Sequence, residues 1–143
     1  MSQEVRILAL DVGEKRIGLA FSDPLGITAQ GLGILNRKGR EADLAELLKV
    51  ARQYQVKKIV VGLPRHMDGR LGKQAPEILE LARSLGEALG VEVAPWEERL
   101  TSVEAERVLI AADVSRRRRR QVVDKLAAVL ILQSYLDHRQ NSR

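Results

Sequence analysis

The sequence contains no cysteine, two histidines and only 3% aromatic residues. Without cysteine the chain can form neither a disulfide bond nor a thiolate metal site. With two histidines, a tetrahedral zinc site would have to depend mostly on carboxylates, which is unusual. The scarcity of aromatic rings also argues against a base-stacking surface for single-stranded nucleic acid. Any bound metal is therefore expected to be a hard ion held by oxygen, such as Mg²⁺ or Mn²⁺.

A long hydrophobic run and a signal-peptide pattern are absent from the sequence as well. No apolar segment is long enough to cross a bilayer, and residues 1–6 lack the features of a signal peptide. We therefore expect a cytoplasmic protein that does not associate with membranes. The 143 residues, 45% of them hydrophobic, suit a single domain with its own core. We expect this domain to span residues 1–143, with a frayed tail from about residue 138, as a monomer or a weak homodimer.

Positive charge is in excess and unevenly distributed. The net charge is +5 and the pI about 9.9, which favours nucleic acid as a partner. Five consecutive arginines, Arg116, Arg117, Arg118, Arg119 and Arg120, carry much of this excess. They are interpreted as a phosphate-binding segment, the alternative being a solvated, self-repelling loop. Arg65, in a glycine-containing loop, and Lys15, in the first hairpin, are further candidates for contacts with nucleic acid, although both could be ordinary surface residues.

The order of apolar patterns predicts an α/β domain. The nearly continuous apolar segment Val5–Leu10 is typical of a strand buried on both faces, and Asp11 is expected to end it. Further strands are expected at residues 16–22, 28–35, 57–63 and 91–96, the first of them pairing with Val5–Leu10 as a hairpin. Helical spacing predicts helices around residues 44–51, 78–85, 101–112 and 126–132, with Gly90 ending the second. Three strands followed by alternating helices and strands indicate a mixed five-stranded sheet with helices on both faces.

Three carboxylates lie where the predicted elements begin or end. Asp11 ends the first strand, Glu98 follows the last strand, and Asp124 precedes the most apolar helix. Each has a simpler alternative interpretation: Asp11 as a turn residue, Glu98 as an exposed acid before a helix N-terminus, and Asp124 as a helix cap.

Convergence of the three carboxylates would create a metal site. Their like charges would raise one another's pKa, and a divalent cation would relieve that repulsion. Hard-cation sites with few protein carboxylates complete their coordination with water and substrate phosphate. Such a site suits phosphodiester hydrolysis and needs no nucleophilic serine or cysteine. We therefore expect Asp11, Glu98 and Asp124 to be both metal ligands and catalytic residues.

Five ordered motifs resemble those of a known family. They are DVGEKRIGLA (Asp11–Ala20), VGLP (Val61–Pro64), MDG (Met67–Gly69), ERLTS (Glu98–Ser102) and DKLAAVLIL (Asp124–Leu132). The chain resembles the YqgF (RuvX) family, which has a ribonuclease-H-like fold related to the Holliday junction resolvase RuvC. The family is described both as Holliday junction resolvases and as nucleases that mature the 5′ end of 16S ribosomal RNA. The resemblance implies Mg²⁺ or Mn²⁺ at the same three carboxylates, Asp11, Glu98 and Asp124.

The chain departs from the family pattern at two positions. Glu97 replaces a common aspartate, and His66 stands where the family often has asparagine. The longer Glu97 side chain puts any role for that residue in doubt. A substrate contact by His66 would depend on pH, because its charge changes near neutrality.

Two other functions compete with the nuclease. Actin-like and sugar-kinase ATPases share an Asp-x-Gly hairpin, but they need two such domains around a nucleotide, which 143 residues do not supply. A non-catalytic ribosome- or nucleic-acid-binding module would keep the basic segment without needing three acids. The sequence does not distinguish structured RNA from branched DNA as the substrate.

Overall fold

The computed structural model describes residues 6–63, 74–97 and 116–141, with side chains at 6–63, 74–96 and 126–139. Its strands are β1 (Ile7–Val12), β2 (Arg16–Ser22), β3 (Ala29–Asn36), β4 (Lys58–Leu63) and β5 (Glu92–Glu97), and its helices are α1 (Arg40–Gln53), α2 (Ala75–Leu89) and α3 (Arg116–Asn141). The loop at 64–73 and the helix expected at 101–112 lie outside the described residues. No helix in the described ranges is long and apolar enough to cross a membrane.

The five strands form one mixed sheet in the order β3-β2-β1-β4-β5. β1 pairs with β2, and β2 with β3, in antiparallel fashion, whereas β1, β4 and β5 are parallel. The mixed five-stranded sheet and the first hairpin expected from the sequence are therefore confirmed. Because parallel strands end at the same side of a sheet, Val12, Leu63 and Glu97 lie along one edge, which we call the carboxyl edge.

One core lies between the sheet and the α1–α2 side. Side chains alternate between the faces of a strand, so Leu8, Leu10 and Val12 of β1 all point to this side. Helices α1 and α2 cover them with residues at helical spacing, including Leu47, Ala51, Ile78, Leu81, Ala82 and Leu85. Gly90 adopts the left-handed conformation (φ 68°) and ends α2, as the sequence predicts.

A second core lies on the opposite face, under α3. Ile7 and Ala9 of β1 belong to it, with Ala20 of β2 and Val60 of β4. Helix α3 covers them with Ala128, Ile131, Leu132, Tyr135 and Leu136. Helices on both faces explain why Ile7, Leu8, Ala9 and Leu10 are all fully buried and why β1 has a continuous apolar sequence.

The structure corrects several element boundaries. β1 continues to Val12, so Asp11 lies within the strand and pairs with Gly18 instead of ending it. The glycines of β3 accompany an irregularity in its pairing with β2, where Leu19 pairs with Gly33 and Ala20 with Gly31. At the C-terminus, α3 is helical to Asn141.

Helix α3 also begins earlier than expected. Arg116–Arg120, expected as a loop or a lead-in to the helix, form its first turns. Asp124 is therefore the ninth residue of the helix and not its cap. The apolar segment that predicted this helix is only its central part, because the polar first turns carry no hydrophobic periodicity.

Candidate active site

Asp11 lies at the carboxyl edge on the face of the sheet covered by α3. It alternates with Leu10 and Val12, which face α1 and α2, and therefore shares the face of Ile7 and Ala9. Its side chain is partly exposed. Its antiparallel partner is Gly18, so no side chain of β2 stands directly opposite the carboxylate. This position leaves Asp11 at the rim of the core, where a carboxylate can meet both solvent and a ligand.

For the other two predicted carboxylates, Glu98 and Asp124, the structure gives only the positions of neighbouring residues. Glu97 is the last residue of β5 and pairs with Leu63 at the carboxyl edge, and Glu98 follows it outside the described residues. Residue 124 lies within α3, three and four positions before Ala127 and Ala128, which are fully buried. The side chains of Glu98 and Asp124 lie outside the described part of the chain, as does His66.

The turn that follows Asp11 is tied to the start of α1. The Gly13 N–H donates to the Arg16 carbonyl at 2.8 Å, which closes the turn between β1 and β2. A Cβ on Gly13 would lie 3.0 Å from that carbonyl oxygen, so the turn leaves little room for a side chain. Arg37 holds the turn from outside: Nη1 donates to the Gly13 carbonyl at 3.0 Å, and its backbone N–H donates to the Lys15 carbonyl at 2.9 Å.

Asp43 anchors Arg37 from within the protein. Its carboxylate accepts from Arg37 Nε at 3.2 Å and from the Lys38 N–H at 2.9 Å, and its side chain is only 1% exposed. A buried carboxylate is costly unless it is paired and hydrogen-bonded, and these contacts satisfy it. Neither residue was predicted from the sequence. Four-residue spacing from Asp43 to Leu47 and Ala51, which are buried in α1, is the signal that could have identified Asp43.

A cavity of about 460 Å³ lies beside this pair, on the α1–α2 side of the sheet. Val12, Arg37, Asp43, Gln74 and Glu77 contribute to its lining. Gln74 Nε2 donates to Glu14 Oε1 at 2.9 Å across its mouth. Since Val12 rather than Asp11 contributes to the wall, the cavity is separated from the Asp11 carboxylate by the sheet, and we do not assign it to the active site.

The expected nucleic-acid contacts are only partly described. Lys15 is exposed in the β1–β2 turn, four residues after Asp11, where it could reach a bound phosphate. Arg65 lies outside the described residues. The arginine run is helical, but its side chains are not described, so the interpretation of Arg116–Arg120 as a phosphate-binding segment stays a prediction.

Trp96 packs against α3. Its ring meets Tyr135 edge-on, with centroids 5.6 Å apart, and lies 5.3 Å from the His138 ring. Its Nε1 donates to Ser134 Oγ at 3.2 Å. With both the ring and its N–H used in this way, Trp96 joins β5 to the C-terminal half of α3.

The donors at the carboxyl edge suit a hard cation. Asp11 offers carboxylate oxygens at the rim of the core, and Mg²⁺ and Mn²⁺ prefer such ligands. Within the described ranges no three His, Cys, Asp or Glu side chains are grouped closely enough to hold a metal. Any further metal ligands would have to come from outside the described side chains, and Glu98 and Asp124 are among the residues there.

Known proteins of similar sequence form one family. The RuvX family model, described as Holliday junction resolvase, matches residues 5–138. A Syntrophomonas wolfei protein named "Putative pre-16S rRNA nuclease" is 57% identical over 133 residues, covering 93% of this chain and 94% of that protein. A protein of the same name from Pelotomaculum thermopropionicum is 53% identical over 140 residues, covering 97% and 91%.

Solved structures of similar fold include two resolvases. Thermus thermophilus RuvC in complex with a Holliday junction substrate superposes with a TM-score of 0.63 at 14% identity, over 96% of this chain and 97% of that chain. Fowlpox virus resolvase with Holliday junction DNA gives a TM-score of 0.56 at 12% identity, over 94% and 98%. These structures confirm the expected ribonuclease-H-like fold, and the sequence matches establish that the chain belongs to the RuvX family of Holliday junction resolvases.

Proposed function

We propose that this protein is a metal-dependent nuclease that hydrolyses phosphodiester bonds in structured nucleic acid, with Asp11, Glu98 and Asp124 as its catalytic carboxylates. The observation that carries the proposal is the position of Asp11, at the carboxyl edge and on the α3 face, in a chain of the RuvX family. The protein is expected to act as a single domain in the cytoplasm.

The topology supports a place for Glu98 near Asp11. β5 is parallel to β4, and β4 to β1, so all three strands end at the carboxyl edge. Trp96 packs on the α3 side, and side chains alternate along a strand. Trp96 thus lies on the face of Asp11, and Glu98 follows Trp96 by two residues in the sequence.

The arrangement of α3 supports a place for Asp124 as well. Gln133 accepts from the Ala29 N–H at 2.9 Å, near the end of the sheet at which β1 begins. Residue 124 precedes Gln133 by nine residues, about 13 Å of helix at about 1.5 Å per residue. Asp11 follows Ile7 by four residues, about 13 Å of strand. A helix running back along β1 would bring position 124 level with Asp11.

The proposed hydrolysis depends on a divalent cation that three carboxylates could bind. When bound, Mg²⁺ or Mn²⁺ would supply positive charge to the phosphate oxygens that gain negative charge during hydrolysis. Asp11, Glu98 and Asp124 would hold and orient that charge from three separate chain segments. Lys15 and part of the segment Arg116–Arg120 would bind phosphates of the substrate and fix its register. No covalent intermediate on the protein is needed.

Precursor 16S ribosomal RNA is the first substrate to test. The relatives with that activity in their names are 49–57% identical to this chain, whereas the resolvases seen with DNA junctions are 12–14% identical and support the fold alone. The description of the family model favours a four-way DNA junction as the second candidate.

The test is a cleavage assay of pure protein on both substrates, with Mg²⁺, Mn²⁺ or chelator. We expect cleavage only with metal, and a loss of more than about a hundredfold in Asp11→Asn, because removing a metal ligand costs more than the 10–100-fold typical of groups that support ligands. Asp137→Asn is the matched control, since Asp137 is exposed on α3 and should be dispensable. A wild-type protein that binds but never cleaves either substrate would instead favour the accessory-module alternative.

A further inference from the structure

Arg37 connects the turn after Asp11 to a buried charge. Its guanidinium contacts the Gly13 carbonyl through Nη1 and the Asp43 carboxylate through Nε, at 3.0 and 3.2 Å. Its backbone N–H donates to Lys15 in the same turn. The turn, the start of α1 and a carboxylate that is 1% exposed are thus joined through one side chain.

The contacts of Asp43 indicate that Asp43 holds Arg37 in place. Asp43 sits in the first turns of α1, its N–H donating to the Gly39 carbonyl at 2.8 Å, and its carboxylate also receives the Lys38 N–H. The carboxylate is therefore fixed by the helix start and can act as a rigid anchor for Arg37. If Asp43 served only to cap α1, the contact with Lys38 would suffice and the guanidinium would not need to reach Gly13.

On this geometry we propose that Arg37, held by Asp43, is a positioning residue for Asp11, an inference that rests on the proposed nuclease function. Gly13 lies two residues after Asp11, and β1 and β2 pair in register from Leu8 to Val12. Fixing the Gly13 carbonyl fixes the end of that ladder and, with it, the Asp11 carboxylate. Arg37 acts from the cavity on the α1–α2 side, opposite the face of Asp11, so its effect is on orientation and not on substrate binding.

Arg37→Lys is the variant that tests the proposal. Lysine keeps a positive charge for the buried Asp43, which avoids leaving that carboxylate unpaired, but its single ammonium cannot reproduce the two-sided contact of a guanidinium. Arg40→Lys is the matched control, because Arg40 forms an ion pair of the same 3.2 Å length with Glu80, exposed and away from the turn.

Two readouts are measured together. Amide hydrogen exchange at positions 13 and 37, whose N–H groups donate to the Arg16 and Lys15 carbonyls, should become about tenfold faster in Arg37→Lys, as expected for losing one hydrogen bond to a charged group. The kcat should fall about tenfold to a hundredfold at unchanged KM, since a displacement of about 1 Å can cost about a hundredfold. Arg40→Lys should match wild type in both.

Three results would overturn the proposal: unchanged exchange in the turn, faster exchange with unchanged kcat, or a raised KM with unchanged kcat, which would mean direct substrate contact. Inactive wild-type protein would contradict the proposed function and this inference together. That outcome is separate from the others, because it is seen before any variant is compared.

Discussion

Three aspartates, Asp11, Asp23 and Asp43, differ in how their charge is satisfied. Asp43 is buried and held by Arg37 and a backbone N–H. Asp23 is satisfied by the backbone alone, its Oδ1 accepting from the N–H groups of Ile27 and Thr28 at 2.7 and 2.8 Å. Asp11 lies at the carboxyl edge beside Gly18, where we propose a metal. The same residue type thus anchors a side chain, closes a turn and serves the proposed chemistry.

The environment of Asp23 predicts a pH dependence of stability. Burial is the largest single influence and raises the pKa of Asp23, but hydrogen bonds from Thr28, Ile27 and Leu25 together outweigh it, so the pKa lies below its ordinary value of 3.8. Because the folded pKa is lowered, the stabilisation is complete above the unfolded pKa and is lost as pH falls through the folded one. Asp23→Asn should melt about 1–3 °C below wild type at pH 7, with the gap closing below about pH 4. Thermal melts from pH 7 to pH 2.5 check this, and a gap independent of pH would contradict it.

At the level of elements, α3 joins the basic segment to the second core. Its first turns are Arg116–Arg120, and its later residues Ile131, Leu132 and Leu136 are fully buried against the sheet. Because successive residues of a helix are about 100° apart, we expect only two or three of five consecutive arginines to contact the same nucleic acid backbone.

Helical geometry therefore limits what the arginine run contributes to binding. Replacing Arg116–Arg120 with Gln should weaken binding to many sequences alike. The slope of log affinity against log salt should become shallower by about 2–3 on duplex DNA, at about 0.9 for each lost phosphate contact. Lys49→Gln with Arg52→Gln, two exposed positions on α1, is the control and should leave the slope nearly unchanged. Binding is measured across a salt series. An unchanged slope in the arginine variant would mean that Arg116–Arg120 are solvated and do not bind phosphate.

At the scale of the whole molecule, one sheet separates two cores and directs its parallel strands to a single edge. The α1–α2 side contains the larger hydrophobic cluster and the Arg37–Asp43 pair. The α3 side contains the smaller cluster and, in our proposal, the three carboxylates. The larger hydrophobic cluster and the proposed active site thus lie on opposite faces of β1.

Carboxylates gathered for metal binding should weaken the metal-free fold. Two unit charges about 4 Å apart repel by about 4 kcal/mol at an effective dielectric of about 20. Protonation, water and side-chain motion relieve much of this, and a net cost on the order of 1 kcal/mol would move the melting temperature by a few degrees. Asp124→Asn should therefore stabilise the protein in chelator while abolishing activity. Mg²⁺ or Mn²⁺ should raise the melting temperature of wild type more than that of the variant, because the ion binds only the folded site.

Asp137→Asn is the control for this experiment, since Asp137 lies on the same helix and accepts from Gln133 at 2.9 Å. It should show neither the gain in chelator nor the smaller response to metal. An Asp124→Asn protein that is no more stable in chelator and responds to metal as wild type does would remove Asp124 from the site.

The type and order of the elements could be predicted from the sequence because they depend on local periodicity. Apolar runs and helical spacing are properties of neighbouring residues, so the five strands, the first hairpin and the end of α2 at Gly90 were predicted correctly. The proposed carboxylates were chosen by the same local logic, because polar residues near the ends of apolar elements stand out in the sequence. Of these, the structure describes the side chain of Asp11 alone.

Only the tertiary structure decided which residues are buried and where polar segments become regular. Asp43 is a helix acid by local pattern, yet packing of α1 on the sheet buries it and gives it Arg37 as a partner. The helix at Arg116–Arg120 could not be predicted, because this segment has no hydrophobic periodicity. The face on which Asp11 lies follows from how far β1 extends and from which helices cover it, and these depend on contacts with β4 and α3, far away in sequence. Local patterns determine element type, whereas burial and pairing depend on long-range packing, which a single sequence does not display.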